Sequence, residues 1–316
     1  MSMRRLLWLA ALAFLVASPA FAQPARVTLK IGLIPADFAG QAYFAKDLGF
    51  FERAGIDVEI TPITNGAAIQ AALASGALDV GYSNVIALST AHERGVDFQF
   101  IIASNYYTRR EANVGVLAVA RASTIRNAAD LEGKTIAVSG INEVAGLSVR
   151  RWMDENHADS KKAKFVELPF PAMAPAVQAG RVDAAAMNIA FAPNTGAPND
   201  PLRIVAYTYD AIAPRWMISG WCVTPDWVAK HPEAAAKFIA AMKEATAWGN
   251  AHRSEASAIL AKYLNKPVEQ IEALPRPTYQ THVDAALLQP AIDAAAKYGT
   301  IASRFPARLL ISSSAP

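Results

Sequence analysis

The chain has 316 residues, 53% of them hydrophobic and 18% charged, with 30 Lys and Arg against 27 Asp and Glu. That near-balance, without a basic run, excludes a nucleic-acid-binding surface, and the length is that of two domains able to bury a core each. A single cysteine, Cys222, and five scattered histidines exclude an internal disulfide and a metal site at helical or finger spacing.

Residues 1–22 read as an export signal. Arg4 and Arg5 form the positive region, Leu6 to Ala17 is an apolar core too short to span a bilayer, and Pro19 breaks the helix. Ala20 and Ala22 put small residues at −3 and −1 of a cleavage point after Ala22. Arg4 and Arg5 leave with the signal, so the mature chain keeps 28 basic and 27 acidic residues. It is expected to be soluble, periplasmic and monomeric.

Residues 27–34 (VTLKIGLI) alternate and are β-branched, as a strand requires. A helix is predicted over 40–48, a strand over 58–63, a helix over 66–75 closed by Gly76, a strand over 78–82, a helix over 85–93 and a strand over 98–103. The rhythm restarts with a strand at 114–120, a helical turn at 128–131, a strand at 135–138, a helix at 144–155, a strand at 164–167, a helix at 173–179 closed by Gly180 and a strand at 183–187. Extended segments at 203–207 and 217–223 lead into helices at 233–248, 254–264, 268–274 and 289–298. Such alternation predicts an α/β fold with parallel sheets covered by helices.

One local pattern occurs twice. AALASGALDVGYSN (71–84) and PAVQAGRVDAAAMN (175–188) each give an Ala-rich run, a Gly, an Asp three residues on, small apolar residues and an Asn. The expected architecture is two Rossmann-like lobes joined by a two-segment hinge, one lobe made of 23–108 with 217–316 and the other of 109–216. A single α/β domain using a common unit twice is the alternative.

In open parallel sheets, ligands bind beyond the carboxyl ends of the strands, where helix N-termini present free N–H groups. That rule selects Asp37, Phe38, Gly40 and Gln41; Tyr82, Ser83 and Asn84; Asn105 and Tyr106; Ser139, Gly140, Asn142 and Glu143; and Asn188. Ser83, Asn84, Ser139 and Asn142 serve equally as N-caps. The recurring Asp79 and Asp183 stand at the opposite strand ends and are expected to fix the Gly turns. Phe38, Tyr82, Tyr106, Tyr107, Tyr209, Trp216 and Trp221 cluster around the predicted cleft and crossings, as core or as walls of a site. Arg109, Arg110 and Arg215 lie in the crossings, as partners of an anion or as solvated hinge residues.

Two motifs fall short. Gly133-Lys134-Thr135 has the end of a phosphate loop, but Ala128 stands where its first Gly is needed and the triplet precedes a strand. Gly81-Tyr82-Ser83-Asn84-Val85 imitates a nucleophile elbow, with Val85 in place of the second Gly. His231, His252 and His282 follow in triad order, so an exported serine hydrolase using Ser83 stays open.

LGFFERAGIDVEI (48–60), ALASGALDVGYSN (72–84), DLEGKTIAVSG (130–140), VQAGRVDAAAM (177–187) and DWVAKHPEAAAKFIAAMKEA (226–245) together resemble the periplasmic solute-binding proteins of ABC importers. The similar group handles aliphatic sulfonates, nitrate, taurine and thiamine-precursor pyrimidines. The resemblance implies the type 2 periplasmic-binding architecture, a small-molecule solute, a permease partner in the inner membrane, no cofactor and no catalysis. It implies ligand contacts at Asp37 to Gln41, at Ser83 and Asn84, and at Ser139 to Glu143. Where many relatives carry a Trp-Glu-Pro-like segment, this chain has Asn188-Ile189-Ala190 and so lacks that acidic residue. The Cys-rich signature of yeast-type pyrimidine synthases is also missing. A sulfonate- or taurine-like anion is the first solute expected, a pyrimidine or aromatic solute the alternative, and a sensory input module of the same fold a further reading.

Overall fold

A computed structural model describes residues 26–109, 115–192, 199–274 and 277–316. The expected export signal, its cleavage point and Arg110 lie outside the described residues.

The chain opens with β1 (Val27–Leu33), α1 (Gly40–Asp47), α2 (Phe50–Arg53), β2 (Ile56–Pro62), α3 (Gly66–Ala74), β3 (Val80–Asn84), α4 (Val85–Glu93) and β4 (Gln99–Thr108). It continues through β5 (Gly115–Ala120), β6 (Thr135–Val138), α5 (Val144–Glu155), β7 (Lys164–Glu167), α6 (Phe170–Gln178), β8 (Ala184–Asn188) and β9 (Leu202–Ala206). The last part holds β10 (Arg215–Val223), α7 (Pro225–Lys230), α8 (Pro232–Ala251), α9 (Arg253–Leu264), α10 (Val268–Glu272) and α11 (Ala285–Lys297).

Two five-stranded sheets result, ordered β2-β1-β3-β10-β4 and β7-β6-β8-β5-β9. Neither is wholly parallel, which corrects the sequence expectation. β10 runs antiparallel to β3 and β4, and β5 antiparallel to β8 and β9. The reason is the route of the chain. β5 and β10 are the strands entered from the other lobe, so each starts at the end of the sheet where its neighbours finish. β4 runs to Thr108, well past the expected end, because Arg215 to Val223 supplies partners all along it. α11 starts at Ala285, capped by the Asp284 side chain, and carries Pro290 inside, which hides the helix from a sequence reading.

Each sheet is packed on both faces. In the first lobe, one face holds Ile69, Phe98, Trp216 and α11, and the other Leu29, Phe44, Trp221 and α8. The second lobe has a core around Leu117, Ile136 and Val149 and another around Val116, Met173 and Met187. The C-terminal helices α8 and α11 pack on the first sheet. Among the described residues, no helix is long and apolar enough to cross a membrane.

The repeated pattern is one structural unit used in both lobes. Gly76 and Gly180 follow α3 and α6 at φ of 73° and 67°, in the left-handed region that glycine enters without a Cβ clash. The aspartates do not fix these turns. Asp79 Oδ2 accepts the Lys30 N–H at 2.8 Å, and Asp183 Oδ2 accepts the Thr135 N–H at 2.8 Å. Their own N–H groups return bonds to the carbonyls of Lys30 and Thr135, both at 2.9 Å. Each Asp thus clamps the start of its strand to the neighbouring strand. Asp79 also accepts the Trp227 indole N–H at 3.0 Å.

Candidate functional site

The two sheets face each other at the ends where β1, β3, β6 and β8 finish. Between them lies a cavity of about 60 Å³. Of the residues selected by the strand-end rule, Phe38, Tyr82, Ser83, Asn84, Asn105, Ser139, Glu143 and Asn188 line it. Gly66, Phe170 and Ser219, which the sequence reading did not name as contacts, also line it, as do Ile34, Val144, Ala145, Ile218 and Tyr209, the last expected as core or as wall of a site.

Six selected residues lie elsewhere. Gln41 is fully buried and serves the core: its side-chain amide donates to Thr246 Oγ1 at 2.6 Å and to the Gln280 carbonyl at 2.9 Å, and its Oε1 accepts the Trp221 indole at 2.9 Å. Asp37 is buried behind the wall, its carbonyl held by the Tyr279 hydroxyl at 2.6 Å. Gly40 lies against the same hydroxyl, 2.4 Å from where a Cβ would stand. Tyr106 donates its hydroxyl to the His282 carbonyl. Gly140 packs beneath the Glu143 side chain, and Asn142 is exposed. Of the remaining aromatics, Tyr107, Trp216 and Trp221 are core.

Asn84 does two jobs. Its Oδ1 caps α4 by accepting the Ala87 N–H at 2.9 Å, while its side chain also hydrogen-bonds the Glu143 carboxyl group. The backbone N–H of Gly66, at the start of α3, donates to the same carboxyl. Glu143 belongs to the second lobe and its two donors to the first, so the carboxyl bridges the cleft. Burial between the lobes, with a smaller push from Glu167, raises its pKa from the ordinary 4.5 to about 7; the Gly66 and Asn84 bonds hold it from rising further.

The other side of the cavity is a hydroxyl and ring cluster. Phe38 stacks on Tyr82 with centroids 5.0 Å apart. The Tyr82 hydroxyl, Ser219 and Asn105 are mutually hydrogen-bonded, and desolvation raises the Tyr82 pKa well above its ordinary value. Ser83 differs: its Oγ is enclosed, the residue is 1% exposed, and no hydrogen-bond partner reaches it. A buried hydroxyl without a partner is costly and rare, which singles out Ser83 in the cavity wall.

The lining contains no Lys, Arg or His among the described residues. The triad order therefore finds no base here: His252 Nδ1 bonds the Trp248 carbonyl, His282 Nδ1 the Pro316 carbonyl, and His231 packs on Trp227. Arg109 joins the two crossings by pairing with Asp210 at 2.8 Å, where the Tyr107 hydroxyl also donates at 2.7 Å. Arg215 stands 5.8 Å over the Tyr106 ring. No group of His, Cys, Asp and Glu among the described residues has metal-site geometry.

A larger groove of about 760 Å³ runs between the far end of α5 and the end of α11, past Arg150, Asp154, Phe165 and Lys297. It is open, of mixed charge, and set at the C-terminal end of α5, away from the helix starts that meet at Glu143. The enclosed cavity is the stronger candidate in spite of its size.

The family model described as NMT1/THI5 like matches residues 37–256. The alkanesulfonate-binding protein SsuA from Xanthomonas axonopodis pv. citri, bound to MOPS, shares the fold with a TM-score of 0.76 at 19% identity, covering 92% of this chain and 99% of that one. The periplasmic aliphatic sulphonate binding protein SsuA from Escherichia coli gives 0.72 at 21%, covering 90% and 97%. The periplasmic nitrate-binding protein NrtA from Synechocystis PCC 6803 gives 0.74 at 15%, covering 90% and 84%. The common architecture is the two-lobed periplasmic binding protein fold.

Proposed function

The chain belongs to the NMT1/THI5-like family, and from that premise we propose that it is the solute-binding component of an ABC import system. It captures a small organic solute between its lobes and hands it, chemically unchanged, to a permease in the inner membrane. It works in the periplasm after cleavage after Ala22, with lobe boundaries at 108/109 and, because β10 begins at Arg215 in the first sheet, at 214/215 in place of the expected 216/217. The observation that carries this reading is the cavity between the lobes, with Ser83 enclosed and unpartnered on one side and Glu143 reaching across from the other. Contacts complete only in the closed form shift the population toward it.

For the solute, we favour the pyrimidine or aromatic alternative. A carboxyl group projects into the cavity, no cation of the described lining answers an anion, and Phe38, Tyr82, Phe170 and Tyr209 offer ring faces. The sulfonate-like anion has one observation in its favour: the Gly66 N–H and the Asn84 amide already hold a carboxylate, so an anion displacing Glu143 would find both donors.

A thermal-shift screen of the mature protein against small amines, heterocycles, carboxylates and sulfonates tests the reading. A solute at a hundredfold excess over Kd stabilises by about 2.7 kcal/mol. Hits that also compact the protein in small-angle X-ray scattering support capture between lobes. Hits that are turned over would mean an enzyme, and the absence of any hit would remove the solute class.

A further inference from the structure

A second chamber adjoins the first. It holds about 190 Å³ and is lined by Ile34, Pro35, Pro62, Ile63 and Thr64 from the first lobe and Pro169, Phe170, Pro171 and Phe191 from the second. None of these residues is charged. Ile34 and Phe170 also line the inner cavity, so the two chambers have a wall in common. Four prolines hold the outer chamber's backbone with few free N–H groups, and Phe170 and Phe191 stack at 5.2 Å with ring planes 17° apart.

The two volumes differ in what they admit. The inner cavity of about 60 Å³ holds a few water-sized groups, enough for a polar head of a few heavy atoms. The outer chamber of about 190 Å³ exceeds the roughly 150 Å³ at which an apolar cavity takes benzene. The chemistry divides the same way. Inside are an enclosed hydroxyl that lacks a partner, at Ser83, and a carboxyl group, at Glu143. Outside, the lining is uncharged and apolar apart from Thr64, and the Lys266 ammonium lies 5.2 Å over the Phe191 ring. A nitrogen-bearing head finds its carboxyl partner inside, at Glu143.

We infer that the solute is amphiphilic, with a compact nitrogen-bearing head that donates hydrogen bonds to Glu143 and Ser83 and an apolar body of about ring size seated in the Pro35–Pro62–Phe170–Phe191 chamber. This rests on solute capture in the cleft and specifies its chemistry. Ile34 and Phe170 sit where head and body join. They set the distance between the two parts, and solutes with a head alone leave the outer chamber to water.

The experiment uses the mature protein and saturation-transfer NMR titrations with methylamine, hexylamine, benzylamine, hexanesulfonate and benzenesulfonate. The expected result is that benzylamine or hexylamine binds roughly tenfold or more tightly than methylamine, and that both sulfonates bind more weakly than the amine with the same body. Phe191→Ala, which touches the outer chamber alone, should bring the body-bearing amines down to the methylamine level while leaving methylamine unchanged. If that variant unfolds, Ile63→Thr in the same chamber makes the same test. Glu143→Gln should narrow the gap between amine and sulfonate. Sulfonates binding better than amines, with compaction in scattering, would overturn the inference and leave solute capture standing. Equal affinity across body sizes would overturn it as well. Silence from all five probes overturns the inference if the broader screen finds another solute, and overturns capture too if that screen is also empty.

Discussion

The carboxyl group of Glu143, on the second lobe, is hydrogen-bonded by the side chain of Asn84, on the first. The same Asn84 caps α4 through its Oδ1. A helix cap and a contact across the cleft are thus one residue. Any solute that enters must fit around this bridge or replace it.

The bridge makes closure pH-dependent. The Glu143 pKa is raised from 4.5 to about 7 by burial, then by Glu167, and Tyr209 also faces it. A group with a raised pKa contributes its stability below the ordinary value and loses it as the pH rises through the shifted one. Stability of the solute-free protein should therefore fall between about pH 4.5 and 7, by up to about 3 kcal/mol. Glu143→Gln keeps the shape and removes the titration. Melting curves at pH 5 and pH 8 should differ more for the wild type than for the variant, and equal pH dependence would contradict this.

Ser83→Ala should separate binding from stability. Its hydroxyl is buried and unpartnered, so removing it relieves a desolvation cost of about 1–2 kcal/mol and leaves the melting point equal or higher. Solute affinity should drop by about fivefold to tenfold with the lost hydrogen bond. A variant that melts much lower would show that Ser83 has a structural partner.

Asp79→Ala and Asp183→Ala should do the reverse. Each carboxylate clamps the start of its own strand to the neighbouring strand, with acceptor distances of 2.8 Å to the Lys30 and Thr135 N–H groups. Each loss should cost about 1–3 kcal/mol in urea denaturation. Both residues stand at the far end of their sheets from the cavity, so solute affinity should not change.

Gly220→Ala tests the seam of the first sheet. A Cβ there would lie 2.6 Å from the Ile102 carbonyl, which β4 holds in place. The strain should destabilise the protein by about 1–3 kcal/mol, read as a lower denaturation midpoint.

Much of this architecture is legible in the chain itself. Hydrophobic period and glycine punctuation placed α4, α5, β6 and β7 to the residue, because those elements are short, regular and bounded by turns. The strand-end rule brought Tyr82, Ser83, Asn84, Ser139 and Glu143 to one place. The same rule applied after β2 and β7 would have reached Gly66 and Phe170. Ser219 was beyond it, since a residue in mid-strand shows its face only once β10 is paired in register with β3 and β4. The antiparallel course of β5 and β10 was also hidden: periodicity gives a strand its faces but not its direction. Gln41 was misplaced because a polar residue at a helix start looks the same whether it meets a ligand or ties Trp221 and Thr246 together.

The most direct test of capture between the lobes is a crystal structure with a solute found by the thermal-shift screen. The account predicts density in the inner cavity within hydrogen-bonding distance of Ser83 Oγ and the Glu143 carboxyl, with any apolar part running toward Phe170. Density in the open groove beside Arg150 and Lys297, with the cavity at Ser83 unchanged, would contradict it.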